Sequence, residues 1–234
     1  MHDPTRIPRV LDRLRETWEG QPDLPLSILF GILANRGASW GTTDEELEEL
    51  LIREAQTHPA ELARTEEGRV ARDVLVETTA PDHRVTLTHD GDVVVRATGD
   101  RDRQPSQWCY QSVRPTGPGR LLVVADSEGV EHRLGMVTLI TAFAAFAGSE
   151  ANLEGIQRED IGNNVWLVVL DGGVRVLVTQ RLHAWQVEGR SLKKTTHAWS
   201  QVVRCRVGED FVYTAAGGGE VALGIVDKLL LIEQ

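Results

Sequence analysis

The chain changes its hydrophobic period near residue 83. Before that point apolar residues recur at helical spacing, with Ile7, Val10, Leu11, Leu14 and Trp18 at i, i+3, i+4, i+7 and i+11. That is one face of a helix starting after Pro4 or Thr5 and stopped by Gly20 and Pro22. Asp23 stands where it would cap a second helix, with Pro25 in its first turn, Leu26, Leu29, Phe30 and Leu33 as its buried stripe, and Asn35 and Gly37 at its exit. Thr43 followed by Glu46 has the form of a capping box for a third helix, in which Leu47, Leu50 and Leu51 face inward. Residues 1–58 therefore read as a small helical module. In residues 59–82, Pro59 breaks the helix, Glu61 to Val76 could form another, and Thr78-Thr79-Ala80-Pro81 reads as linker.

From residue 83 onward the period is two, and the pattern occurs twice. In the first copy, 83–140, the runs around Val85-Leu87 and Val93-Val95 flank the hairpin signal Asp90-Gly91. In the second, 164–234, the run Val165 to Leu170 and the run from Val174 flank Asp171-Gly172-Gly173. Each copy continues through a tryptophan (Trp108, Trp199) and a glycine turn (Gly119, Gly208) to Leu134-Gly135-Met136-Val137 or Leu223-Gly224-Ile225-Val226. Thr138 to Ala147 reads as an alanine-rich helix, so 141–163 is expected to connect the copies. The fold class is α+β: a small N-terminal helical module, then two related antiparallel β units, barrel-like and joined by a helix. Two separate barrels and one fused sheet both satisfy the pattern.

The closing strands of each copy, a glycine turn followed by the Leu-Gly-x-Val segments, resemble those of the small Sm-like or SH3-like β-barrels of bacteria. The resemblance implies a bent antiparallel sheet closing on itself, and it carries over no catalytic residue. The stretch from Arg6-Ile7 through Trp18 to Pro22-Asp23-Leu24 is similar to helical segments of bacterial proteins with no assigned role.

Charge is unevenly distributed. Of the net −10, residues 1–82 carry −8, with 9 Lys+Arg against 17 Asp+Glu, and the β half carries −2. Such acidity favours solubility and disfavours non-specific attraction to nucleic acid. No cationic, apolar leader opens the chain and the longest apolar run, 136–148, is too short to span a bilayer, so a cytoplasmic protein without membrane association is expected. Cys109 and Cys205 read as small reduced core residues.

The residue types for chemistry are present but not arranged for it. Seven histidines are scattered without metal-ligand spacing, and Gly217-Gly218-Gly219 lacks the Lys-Ser/Thr of a phosphate loop. His89-Asp90 with Asp92 is explained by turn chemistry, and Trp108 and Tyr110 around Cys109 predict a packed strand. Hence no catalytic residue, metal or cofactor is assigned, and the chain is read as a non-enzyme. One local bias stands out: between Gly172 and Gly208, seven Lys+Arg stand against the single acid Glu188. The candidate binding surface is Arg181, His183, Trp185, Arg190, Lys193, Lys194, His197 and Trp199, cations interleaved with aromatics as an anionic strand would require. The expected function is binding of another macromolecule, a protein partner or a second copy. RNA or DNA binding through 181–206 is the alternative, and a cysteine-dependent enzyme a distant third.

Overall fold

The computed structural model describes residues 4–100, 103–144, 152–189 and 191–234. They form two compact units, 1–99 with 106–143, and 100–105 with 144–234. The first contains the helical module and a closed barrel.

Three helices form where the apolar spacing places them: α1 (Arg6–Glu19), α2 (Leu26–Asn35) and α3 (Asp44–Thr57). The capping box of α3 is made, the Thr43 N–H donating to Glu46 Oε2 at 2.8 Å and the Glu46 N–H to Thr43 Oγ1 at 3.3 Å. Asp23 does not cap α2. The chain turns at Gln21–Leu24 and enters the helix through Pro25, whose carbonyl accepts the Ile28 N–H at 2.8 Å. Beneath the module lies Glu54, only 1% exposed. Gln21 Nε2 donates to its Oε1 at 2.9 Å, and Arg36 lies 2.7 Å from Oε2 as an ion pair without hydrogen-bond alignment. Breaking such a buried pair from one side strands a charge and is far costlier than the pair is worth. The module meets the barrel at His58, whose Nδ1 lies 3.3 Å from Ile140 O, and two glycines allow close backbone approach: a Cβ on Gly20 would sit 2.0 Å from the His58 carbonyl oxygen within the module, and one on Gly117 of the barrel 2.2 Å from that of Ala60.

The barrel is a six-stranded antiparallel meander of β1 (Val74–Thr79), β2 (His83–Leu87), β3 (Asp92–Ala97), β4 (Ser106–Val113), β5 (Leu121–Asp126) and β6 (Glu131–Ala142). It closes by pairing β6 with β1. Val76, Val85, Leu87, Val93, Tyr110, Leu122, Val124 and Ile140 fill its interior. The strand β1 replaces the helix expected over Glu61–Val76 and the linker expected at Thr78–Pro81. Val74, Leu75 and Val76 form a continuous apolar run of mostly β-branched residues, all buried, and that favours a barrel strand over a helix. Thr138–Ala142 likewise continues β6 rather than starting a helix, because Ile140 and Ala142 alternate into the barrel interior. Of the helix expected there, residues 145–147 lie outside the described residues.

The second unit has seven strands, β7 (Val165–Leu170), β8 (Arg175–Val178), β9 (Leu182–Glu188), β10 (Ser191–His197), β11 (Trp199–Arg204), β12 (Asp210–Ala215) and β13 (Glu220–Glu233). Their order is β10-β9-β8-β7-β13-β12-β11. The two edge strands are consecutive in sequence, with only Ala198 between them. In the first barrel, the first half of β4 pairs with β3 and its second half with β5. In the second unit β10 pairs with β9 and β11 with β12. Thus β10 and β11 together occupy the place of β4, and the two units share one strand order.

The correspondence extends to single hydrogen bonds. In the first unit the Gly119 N–H donates to Val137 O and the Val137 N–H to Arg120 O; in the second, Gly208 donates to Val226 O and Val226 to Glu209 O, all at 2.8 Å. Each partner stands 89 positions on (119 to 208, 137 to 226), as do the expected equivalents Gly135 and Gly224. Both of these glycines have positive φ, 111° and 138°. Two expected equivalences are corrected. At this spacing Trp199 matches Tyr110, not Trp108. Moreover β7, the partner of β13, matches β1, so the turn at Asp171–Gly173 corresponds to that between β1 and β2 rather than to Asp90-Gly91. A meander repeats one alternation in every hairpin, so a shift by one strand leaves the pattern unchanged.

Candidate interaction surface

The two sides of α1 are used in an unexpected way. Arg6 and Arg9 face α3: Arg6 pairs with Asp44, Arg9 Nε lies 2.7 Å from Glu48 Oε2, and Thr17 Oγ1 donates to Leu51 O at 3.1 Å. Asp44, Glu48 and Glu49 in the early turns of α3 are therefore ion-paired within the module, the last with Arg53. Three of the apolar residues expected to be buried lie on another side of the helix, with Ile7 55%, Leu11 54% and Trp18 38% exposed. Helix α2 carries no charge between Leu26 and Asn35; it buries Leu29 and Leu33 but exposes Ile28 and Phe30. The Trp18 indole N–H donates to Leu24 O at 2.7 Å, tying the end of α1 to the approach to α2. Trp40, between α2 and α3, is wholly exposed. Six large apolar side chains between residues 7 and 40 thus face water, at a cost of roughly 25 cal/mol per Å² of apolar surface. Of these, Ile7, Leu11 and Trp18 share one face of α1 at i, i+4 and i+11; single exposed apolar residues are ordinary, whereas a contiguous apolar stripe is not. The apolar spacing alone assigned Ile7, Leu11, Trp18 and Phe30 to the core. The signal that could have redirected them is the match of Arg6, Arg9 and Arg13 to Asp44 and Glu48.

The basic segment is built differently from an open cationic groove. Neighbouring strand residues point to opposite faces, so Lys193 and Lys194 are separated by the sheet. Lys194 pairs across the strands with Trp185 and places Nζ 5.2 Å from the centre of its ring. Trp185 and Trp199 are both buried, and the Trp199 indole N–H donates to Thr179 O at 2.9 Å. Tyr110 uses its hydroxyl the same way on Thr88 O, at 2.8 Å, which identifies the pair as matching core anchors. His183 Nδ1 lies 3.1 Å from Thr196 Oγ1, and His197 is half-buried with its ring 5.9 Å from that of Tyr213. Arg181 is exposed at the turn before β9. Arg190 lies outside the described residues. Arg206, from the same basic stretch, pairs with Glu154.

Other polar clusters sit in the first unit. His89 Nδ1 lies 2.7 Å from Asp73 Oδ1, and that hydrogen bond holds the imidazole above its ordinary pKa. His132 Nε2 lies 2.8 Å from Asp126 Oδ2, a contact that lowers the Asp126 pKa. Neither cluster has a nucleophile among its hydrogen-bond partners in the described residues. Cys109 is exposed, contrary to the expectation of a packed thiol, because alternation along β4 turns it away from the barrel interior that holds Tyr110. Its partner is Asp92 Oδ1, 3.8 Å away. Cys205 is buried, and desolvation pushes its thiol up to about 12. Among the described residues no group of three or more His, Cys, Asp or Glu is placed to hold a metal ion, and no helix is long and apolar enough to cross a membrane. Comparison with protein-family models, with curated proteins and with solved structures finds no match.

Proposed function

We propose that this is a non-enzymatic cytoplasmic protein that binds another protein through the exposed apolar side of its N-terminal helices. The observation carrying this reading is the outward stripe Ile7, Leu11 and Trp18, left open because α1 packs on α3 through arginines instead. On this reading the closed barrel and the open seven-stranded sheet, whose likeness to Sm-like and SH3-like barrels is one of strand pattern, serve as scaffold. RNA or DNA binding through residues 181–206 has weaker support: its two tryptophans are buried, and Lys193 and Lys194 face opposite ways. The test compares wild type with a Leu11→Ser, Phe30→Ser double variant in quantitative capture from native cytoplasm, with and without nuclease. Capture lost in the variant and indifferent to nuclease supports the reading. Capture that survives the variant and disappears with nuclease overturns it in favour of nucleic acid.

A further inference from the structure

The charges around the exposed stripe say what kind of partner fits it. Every arginine of the three helices and their connections has an acidic partner: Arg6 with Asp44, Arg9 with Glu48, Arg13 with Glu16, Arg15 with Asp12, Arg36 with Glu54 and Arg53 with Glu49. Acids remain over. Among the described residues Glu19, Asp23 and Glu45 have no ion-pair partner, and Glu19 and Asp23 bracket the segment where Trp18 meets the approach to α2. The surface is thus an apolar stripe beside uncompensated negative charge. Its length, Ile7 to Trp18, is about 16 Å at 1.5 Å per residue, three turns of a partner helix.

We propose that this stripe is a docking site for an amphipathic helix of a protein partner whose apolar side is bordered by lysine or arginine. The proposal rests on the reading of the module as an interaction surface and adds the chemistry of the occupant. Helix-on-helix docking reads apolar anchors three and four residues apart along one face, and Ile7, Leu11, Leu14 and Trp18 lie at i, i+4, i+7 and i+11, successive steps of four, three and four. Charge complementarity chooses among occupants. A second copy would bring the same uncompensated acids to Glu19 and Asp23, and an anionic bilayer would be repelled by them. A basic helix meets both features at once.

The experiment titrates the full-length protein with three synthetic peptides of about fifteen residues, long enough for the stripe. They are an amphipathic Leu/Lys helix, its Leu/Glu counterpart, and a Leu/Lys peptide of the same composition with its periodicity scrambled. Binding is read by Trp fluorescence and calorimetry. The proposal expects the amphipathic Leu/Lys peptide to bind at least about tenfold more tightly than either control. Ile7→Ser with Leu11→Ser should remove that preference. Glu19→Gln with Asp23→Asn should weaken binding about three- to fivefold and flatten its salt dependence, the size expected for exposed charges. Equal binding of the Leu/Glu peptide overturns the assigned charge while leaving the interaction surface standing. A wild-type dimer in sedimentation that Leu11→Ser converts to monomer, without peptide binding, makes the occupant a second copy and overturns the proposal alone. A monomer that binds no peptide overturns both.

Discussion

The first barrel and the second unit are built on one strand order, and they part at the fourth strand. In the first, Ser106–Val113 runs unbroken from its pairing with β3 to its pairing with β5. In the second, the equivalent stretch is longer and interrupted at Ala198, leaving β10 and β11 as the two edges of an open order. The anchor at this strand differs accordingly. Tyr110 reaches Thr88 O through a hydroxyl and also accepts the Val70 N–H at 3.2 Å, whereas Trp199 fills its place with an indole and makes a single bond to Thr179 O. The lesson is that a shared meander tolerates a broken fourth strand while keeping a buried aromatic at the equivalent position. The polar contacts that fasten the first barrel are not needed in the second.

The most damaging change in this comparison should be Trp199→Ala. Removing a fully buried indole costs about 3–5 kcal/mol, and the second unit, lacking a β10–β11 ladder, has little to offset it. Denaturant unfolding of wild type and variant tests this; a loss below about 1 kcal/mol would show that the buried indole does not hold the unit together.

The bulge glycines come next. A Cβ on Gly135 would lie 2.8 Å from the backbone oxygens of Thr79 and Pro81 and from Thr78 Oγ1, whereas on Gly224 it would meet the Asp171 carboxylate at 2.9 Å. Backbone cannot retreat but a carboxylate can rotate. Gly135→Ala should therefore cost about 2–4 kcal/mol and Gly224→Ala about 1–2 kcal/mol. Equal costs in thermal melts would mean that φ strain alone sets the penalty.

Tyr110→Phe should cost about 1–2 kcal/mol, since it leaves the buried Val70 N–H without its acceptor. Complete insensitivity would mean that the shape of the ring, not its hydroxyl, anchors the strand.

Smaller still is the effect of pH, and it should be confined to the first barrel, because Ala215 and Val221 stand where Asp126 and His132 do. The Asp126 pKa is lowered by its hydrogen bond to His132, so its contribution is present above the ordinary carboxylate range and is lost as pH falls. The His89 pKa is raised by Asp73, so its contribution is full below the ordinary histidine value and disappears as pH rises through the raised one. Stability of His89→Asn should lack that neutral-range slope; an unchanged slope would assign it elsewhere.

Thiol labelling sharpens the comparison at no cost in stability. Cys109 should react on mixing, whereas Cys205, buried and with its thiol at about 12, should react only as the second unit opens. Fast labelling of both would show that the second unit opens freely.

The helices, the capping box, the doubled β pattern and its closing glycines were all legible in the chain, because each rests on local spacing or on a backbone conformation that few residues adopt. Gly135 and Gly224 mark the same bulge for that reason. Strand phase was not legible: alternation looks the same in every hairpin, so only the pairing of β6 with β1 and of β13 with β7 shows that the first repeat begins at Val74. Nor could spacing tell which side of α1 faces inward. An apolar stripe at i, i+4 and i+11 is compatible with burial or with docking, and the choice was made by Arg6 and Arg9 meeting Asp44 and Glu48 across the module. The same holds for the basic segment, where one residue of alternation separates Lys193 from Lys194 and tertiary packing buries Trp185 and Trp199. Local sequence determines which elements form, because hydrogen bonding and φ/ψ preference act over a few residues. Which face of each element meets water is decided by contacts between residues far apart in the chain, whose energies no local pattern contains.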